Sequence, residues 1–127
     1  MVILVDSDII IDYLRVSNKQ STQYYKIFIG RENTAYISFI TVVELFAGRE
    51  MDNPEKKKVI ENIIEKSLIL GATKEFYNLA GEILRHNVIN FQDGLIAAHA
   101  ILYNFPLLTK NKKDFAKIKG IKFFSTV

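Results

Sequence analysis

Cysteine is absent from the chain, and histidine occurs only twice, as His86 and His99. The first absence excludes a disulfide scaffold, a thiolate zinc site and a cysteine nucleophile. The second excludes a histidine-rich metal centre. Long apolar runs are missing too. The stretches near 36–47 and 94–108 are broken by Glu44, His99 and Asn104, well short of the roughly 20 clean apolar residues that a membrane-spanning helix needs. The start, Met1-Val-Ile-Leu-Val-Asp6, carries no basic segment and meets an acid after four apolar residues. It reads as a strand rather than a signal peptide, so a cytoplasmic location is expected. There are no internal repeats, low-complexity tracts or linkers, and 127 residues suit a single domain spanning 1–127. Chemistry in such a chain rests on carboxylates, hydroxyls, lysines and the backbone.

The net charge of +3 hides an uneven distribution. Residues 110–122 hold six lysines (Lys110, Lys112, Lys113, Lys117, Lys119 and Lys122) and one acid, Asp114. The rest of the chain carries 11 basic and 13 acidic residues. A lysine run standing alone is a solvated surface. Beside a catalytic acid it becomes a patch for a polyanion such as nucleic acid.

Along the chain, short apolar runs alternate with helical spacing. Val2–Asp6, Ala35–Ser38, Leu68–Leu70, Pro106–Thr109 and Ile121–Phe124 read as strands. Residues 8–16, 20–29, 40–49, 74–86, 93–103 and 114–118 read as helices, with one more behind Pro54, a residue suited to a first turn. Strands this apolar, separated by helices, predict a three-layer α/β/α fold around a mostly parallel sheet of about five strands, covered on both faces. Ligands of such sheets bind outside the carboxyl ends of the strands.

The acids gather at that edge. Asp6 ends the first strand and Asp8 follows it. Glu44 lies one turn into the helix after the second strand. Asp93 opens the helix leading to the fourth strand, and Thr109, Asn111 and Asp114 come after that strand. Converging carboxylates repel one another unless a cation neutralises them. Donors that are all oxygen select Mg²⁺ or Mn²⁺, and such a site suits phosphodiester hydrolysis. Each acid also has a purely structural explanation. Glu44 stands at capping-box spacing from Thr41. Asp6, Asp8, Asp93 and Asp114 all suit helix N-termini, with Asp8 the expected cap of residues 9–16. Asp12 is expected to face solvent, His86 to end a helix, and His99 to lie on a helix surface or in its packing.

Four segments resemble the PIN domain, and more narrowly the VapC-type toxins of toxin–antitoxin pairs. They are Val-Asp6-Ser-Asp8-Ile-Ile-Ile-Asp12, Thr41-Val-Val-Glu44-Leu-Phe-Ala-Gly48, Asp93-Gly-Leu-Ile-Ala-Ala-His-Ala100 and Leu-Thr109-Lys-Asn111-Lys-Lys-Asp114-Phe115, in family order over nearly the whole chain. Segments 17–34 and 50–90 carry no motif. The resemblance implies a Mg²⁺-dependent endoribonuclease in which water attacks phosphorus in line and leaves a 5′-phosphate and a 3′-hydroxyl. It implies Asp6 and Asp93 as the main metal ligands, Glu44 as a ligand or water-orienting base, and Asp114 at a second or transient metal, where Asn111 can share the role. Asp8, Thr109 and Asn111 are expected to support the site, and Lys110, Lys112 and Lys113 to meet RNA. Also implied are a homodimer and a small antitoxin laid across the site, with Tyr24, Tyr25 and Phe28 as contact residues unless they belong to the core. Two other readings remain open. One is a haloacid-dehalogenase-type phosphatase with Asp6 as nucleophile and Asp8 as general acid, which leaves Glu44 and Asp93 idle. The other is a non-catalytic module whose acids serve structure or a partner's arginines.

Overall fold

The computed structural model describes residues 1–125. Four parallel strands, β1 (Val2–Val5), β2 (Thr34–Ser38), β3 (Leu68–Leu70) and β4 (Leu107–Leu108), form one sheet in the order β3-β2-β1-β4. The helices are α1 (Ser7–Arg15), α2 (Gln23–Phe28), α3 (Phe39–Ala47), α4 (Pro54–Lys66), α5 (Lys74–His86), α6 (Phe91–Tyr103) and α7 (Lys112–Phe115). Single 3-10 turns occupy Lys19–Ser21 and Arg49–Asp52.

Successive strand residues go to opposite faces, as the pleat requires. Ile3, Val5, Ala35, Ile37 and Leu108 pack under α1, α2 and α4 with Ile10, Ile27, Ile60 and Ile63. Leu4, Leu70 and Leu107 pack on the other face under α5 and α6 with Phe76, Ile83, Ile96 and Ala97. This is the expected α/β/α sandwich. Helix α6 presents small residues, Gly94, Ala97, Ala98 and Ala100, all buried, so it lies close to the sheet and to α5. It ends at Asn104, which takes the left-handed conformation (φ 57°) that asparagine tolerates.

Several details differ from expectation. The fifth strand, 121–124, reduces to one parallel bridge between Leu107 and Phe123. Leu107 N–H donates to Lys122 O and Phe124 N–H to Leu107 O. Pro106 has no N–H with which to carry the ladder further upstream. The expected helix over 20–29 is divided at Thr22, whose hydroxyl donates to Lys19 O (2.6 Å) and accepts from Tyr25 N–H to cap α2. Strand β3 lies at an edge and leaves Leu68 and Ile69 nearly half exposed, so this strand is not covered on both faces. Tyr24 is buried against Tyr13 and Phe28, and Phe28 packs on the same core. These two rings therefore serve the interior. His99 is fully buried, stacks on Phe76 at 4.2 Å between centroids and bonds Gly71 O at 2.9 Å. Among the described residues, no helix is long and apolar enough to cross a membrane.

Candidate active site

Strands β1, β2 and β3 step outward in one direction, and β4 returns to the other side of β1. The crevice at the carboxyl ends of β1 and β4 is thus the switch point of the sheet. Register fixes what meets there. Val5 pairs with Leu108 and Asp6 N–H donates to Leu108 O at 3.0 Å, which sets Asp6 beside Thr109. Asp6 also caps α1, its Oδ1 accepting from Ser7 N–H at 2.8 Å. Asp6, not Asp8, is therefore the cap, because the chain turns from extended to helical at that residue.

Hydroxyl and amide groups lace the acids together. Thr109 Oγ1 lies 2.8 Å from Asp6 Oδ2 and 3.3 Å from Asp8 Oδ2. It also accepts from Asn111 N–H at 3.0 Å. Asp8 Oδ2 accepts from Lys110 N–H as well, so Asp8 ties α1 to the loop after β4. Asn111 Nδ2 donates to Asp93 Oδ2 (3.2 Å) and to Asp114 Oδ2 (3.1 Å). Ser7 Oγ donates to Glu44 Oε2 at 3.4 Å, across 37 positions of sequence. The predicted residues Asp6, Asp8, Glu44, Asp93, Thr109, Asn111 and Asp114 are thereby drawn to one rim from α1, α3, α6 and the β4–α7 segment.

Burial and mutual repulsion raise the carboxyl pKa values. Burial is the larger cause for Asp6, followed by the charge of Asp8, and together they push it from 3.8 up to about 7 despite the bonds from Thr109 and Ser7. Asp8 is raised by burial, against the N–H of Lys110. Glu44 is raised by burial, and also by Asp93 and Asp8. Asp93 is raised by burial and by Asp114. Electrostatic coupling across Asp6, Asp8, Glu44, Asp93 and Asp114 therefore has the sign expected of acids facing a common space.

Some individual assignments change. Ser38, not Thr41, caps α3 by accepting from Ile40 N–H, so Glu44 belongs to no capping box. Helix α6 is capped by Asn90. Its side chain accepts from Asp93 N–H at 2.8 Å and donates to Asp93 Oδ2 at 2.9 Å. Asp12 is not free in solvent, since Lys110 Nζ lies 3.1 Å from its Oδ1. Lys110 is thus paired within the chain, yet like Lys112 and Lys113 it remains exposed. Sequence reasoning missed Ser7 and Asn90. The Asn90-x-x-Asp93 spacing was a readable signal; nothing local announces that Ser7 reaches Glu44.

The residues fit a hard cation in kind. Every donor is oxygen, Asp6, Glu44 and Asp93 are each raised in part by a neighbouring acid, and Asp8 Oδ1 is buried without a hydrogen-bond partner. Among the described residues no three carboxylates or imidazoles are placed close enough together to hold a metal ion. The acids instead meet through Ser7, Thr109 and Asn111, in an open arrangement.

Comparison with known proteins agrees with this geometry. The model of the PIN domain family matches residues 3–121. Ribonuclease VapC1 of Rickettsia felis is 34% identical, over 96% of this chain and 94% of that protein. Ribonuclease VapC1 of Methanocaldococcus jannaschii is 32% identical, over 96% and 86%. In structure, the chain resembles one in the crystal structure of VapBC2 from Rickettsia felis bound to a DNA fragment from their promoter, with a TM-score of 0.78, 24% identity and 98% of both chains covered. It likewise resembles one in VapBC-1 from nontypeable Haemophilus influenzae, with a TM-score of 0.76, 23% identity and 98% of both covered. With the switch-point acids, the parallel sheet and these relatives in agreement, the chain belongs to the PIN domain family.

Proposed function

We propose that this protein is a Mg²⁺-dependent endoribonuclease, the toxin of a type II toxin–antitoxin pair, working in the cytoplasm as a homodimer under the control of a cognate antitoxin. The observation that carries this reading is the convergence of Asp6, Glu44, Asp93 and Asp114 at the sheet's switch point, with pKa values raised at the first three. Curated relatives named ribonuclease VapC support the RNA substrate, and neighbours solved as VapBC assemblies support the antitoxin. Glu44 and Asp93, which a phosphatase reading leaves idle, share the electrostatics of Asp6 and Asp8, and this favours the nuclease.

Asp6 and Asp93 would hold the cation, with Asp114, which shares Asn111 with Asp93, in support. When bound, Mg²⁺ supplies charge neutralisation at the scissile phosphate and a lowered pKa for the attacking water. Glu44, raised in pKa and held at Oε2 by Ser7, is suited to accept that water's proton. Thr109 and Asn111 keep the carboxylates in place. The exposed Lys112 and Lys113 meet the phosphates on either side. Incubating the protein with structured RNA in Mg²⁺ or in EDTA, beside an Asp93→Asn variant, tests the assignment. Cleavage that leaves 5′-phosphates is expected only with Mg²⁺ and the intact acid. Cleavage unaffected by EDTA, or equal in the variant, contradicts it.

A further inference from the structure

A cavity of about 360 Å³ opens beside the acids, lined by Val88, Ile89 and Asn90 from the α5–α6 connection and by Asp114 and Lys117. It adjoins the site, because Asp114 and Asn90 line it, Asn111 ties Asp114 to Asp93, and Asn90 itself holds Asp93. Its apolar wall is unusual. Val88 is 93% exposed, while its neighbour Ile89 is anchored against the α5–α6 core. Lys117 Nζ stands 3.9 Å from Asp114 Oδ1, a loose pair near the surface that leaves the ammonium able to meet another anion. Asn90 uses one amide N–H on Asp93 and has a second to offer.

An apolar wall, an amide and a cation beside a phosphodiester-cleaving centre are the groups that receive an unstacked base and its phosphate. The volume lies in the range of small-ligand pockets. We propose that this cavity is a subsite for one unpaired nucleobase of the RNA next to the scissile phosphate. Val88 and Ile89 cover the face of the base, Asn90 bonds its edge, and Lys117 holds the adjoining phosphate. The proposal rests on RNA being the substrate.

Photo-crosslinking separates this proposal from the nuclease reading. The full chain carrying Asp6→Asn is mixed with single-stranded oligoribonucleotides bearing 4-thiouridine, irradiated in Mg²⁺ and mapped by peptide mass. Crosslinks are expected at residues 88–90. Val88→Ser, at a surface position where folding is not at stake, is expected to weaken RNA binding about threefold, below the roughly fivefold low end for a base stacked on an aromatic ring, and to lower the crosslink yield in parallel. Crosslinks confined to other peptides, none at all, or unchanged binding by Val88→Ser overturn the subsite. So does a Val88→Ser variant that loses its antitoxin but keeps its RNA. Crosslinks at 88–90 from a wild-type protein that cleaves no RNA leave the subsite standing and refute the nuclease.

Discussion

Replacing Asp6 by asparagine is expected to abolish cleavage and, at neutral pH without metal, to stabilise the fold. Asp6 is only 5% exposed, and its carboxyl is raised from 3.8 to about 7, chiefly by burial and then by Asp8. A shift of this size corresponds to about 4 kcal/mol between folded and unfolded states. The sign follows from proton binding. The folded carboxyl holds its proton more tightly than the unfolded one, so its contribution is fullest below the unfolded pKa and is lost as pH rises through the folded value. Asparagine removes the charge yet keeps a carbonyl oxygen for Ser7 N–H, and Thr109 Oγ1 retains Asp8 as an acceptor. Relaxation of the rim reduces the gain, so the variant should exceed wild type by roughly 1–4 kcal/mol at pH 8 in EDTA, a rise of several degrees in Tm for a domain of this size. The two proteins should converge near pH 4. Saturating Mg²⁺, worth about 2.7 kcal/mol at a hundred times Kd, should raise the wild type and leave the variant unmoved. Melts from pH 4 to 8, with and without Mg²⁺, decide the matter. A variant less stable than wild type at pH 8, or a gap independent of pH, refutes the reasoning.

Asn111→Ala removes the donor shared by Asp93 and Asp114 and should raise the Mg²⁺ concentration needed for half-maximal cleavage by about 10–100-fold; an unchanged midpoint argues against a positioning role. A Cβ at Gly94 meets Leu84 Cδ2 at 2.5 Å and Cγ at 3.1 Å. Gly94→Ala should therefore lower stability by about 1 kcal/mol in urea titrations, overpacking outweighing the helix gain, and a stabilised variant contradicts this. Burial lowers the pKa of His99, so the folded state resists protonation and stability should be lost as pH falls through the ordinary histidine range. His99→Gln, measured in the Asp6→Asn background, should flatten that acid-side decline, and an identical slope assigns it to other groups.

How much of this was legible in the sequence depends on the range of each signal. The sandwich was, because apolar runs such as Val2–Val5 and the helical spacing of Phe76, Ala80 and Ile83 are local and strong. The acids at strand ends were legible for the same reason: in a parallel sheet, the residue that ends a strand stands on the rim. What escaped was set by tertiary contact. The strand expected over 121–124 shrank to a bridge because its partner, β4, is two residues long and starts behind a proline. Tyr24 and Phe28 looked like a sticky face until α1 supplied Tyr13 to cover them. The pairing of Lys110 with Asp12, 98 positions away in sequence, had no local signal either.

The topology also explains how such a cluster of acids is tolerated. A helix that follows a parallel strand, as α1 follows β1, begins at the carboxyl edge, and α6, which leads back down into β4, begins there too, so both N-termini point at the crevice. Asp6 caps α1, Asp8 stands in its first turn, and Asp93 stands in the first turn of α6. Each gains about 0.3–1 kcal/mol from the helix dipole. Four-residue α7 gives Asp114 little of this, and Glu44 sits well inside α3, with Ser7 as its donor. Against a penalty of about 4 kcal/mol at Asp6 alone, set by burial first and by Asp8 second, the helix termini offset only part. The remainder is what a cation would relieve under the metal-dependent reading proposed above.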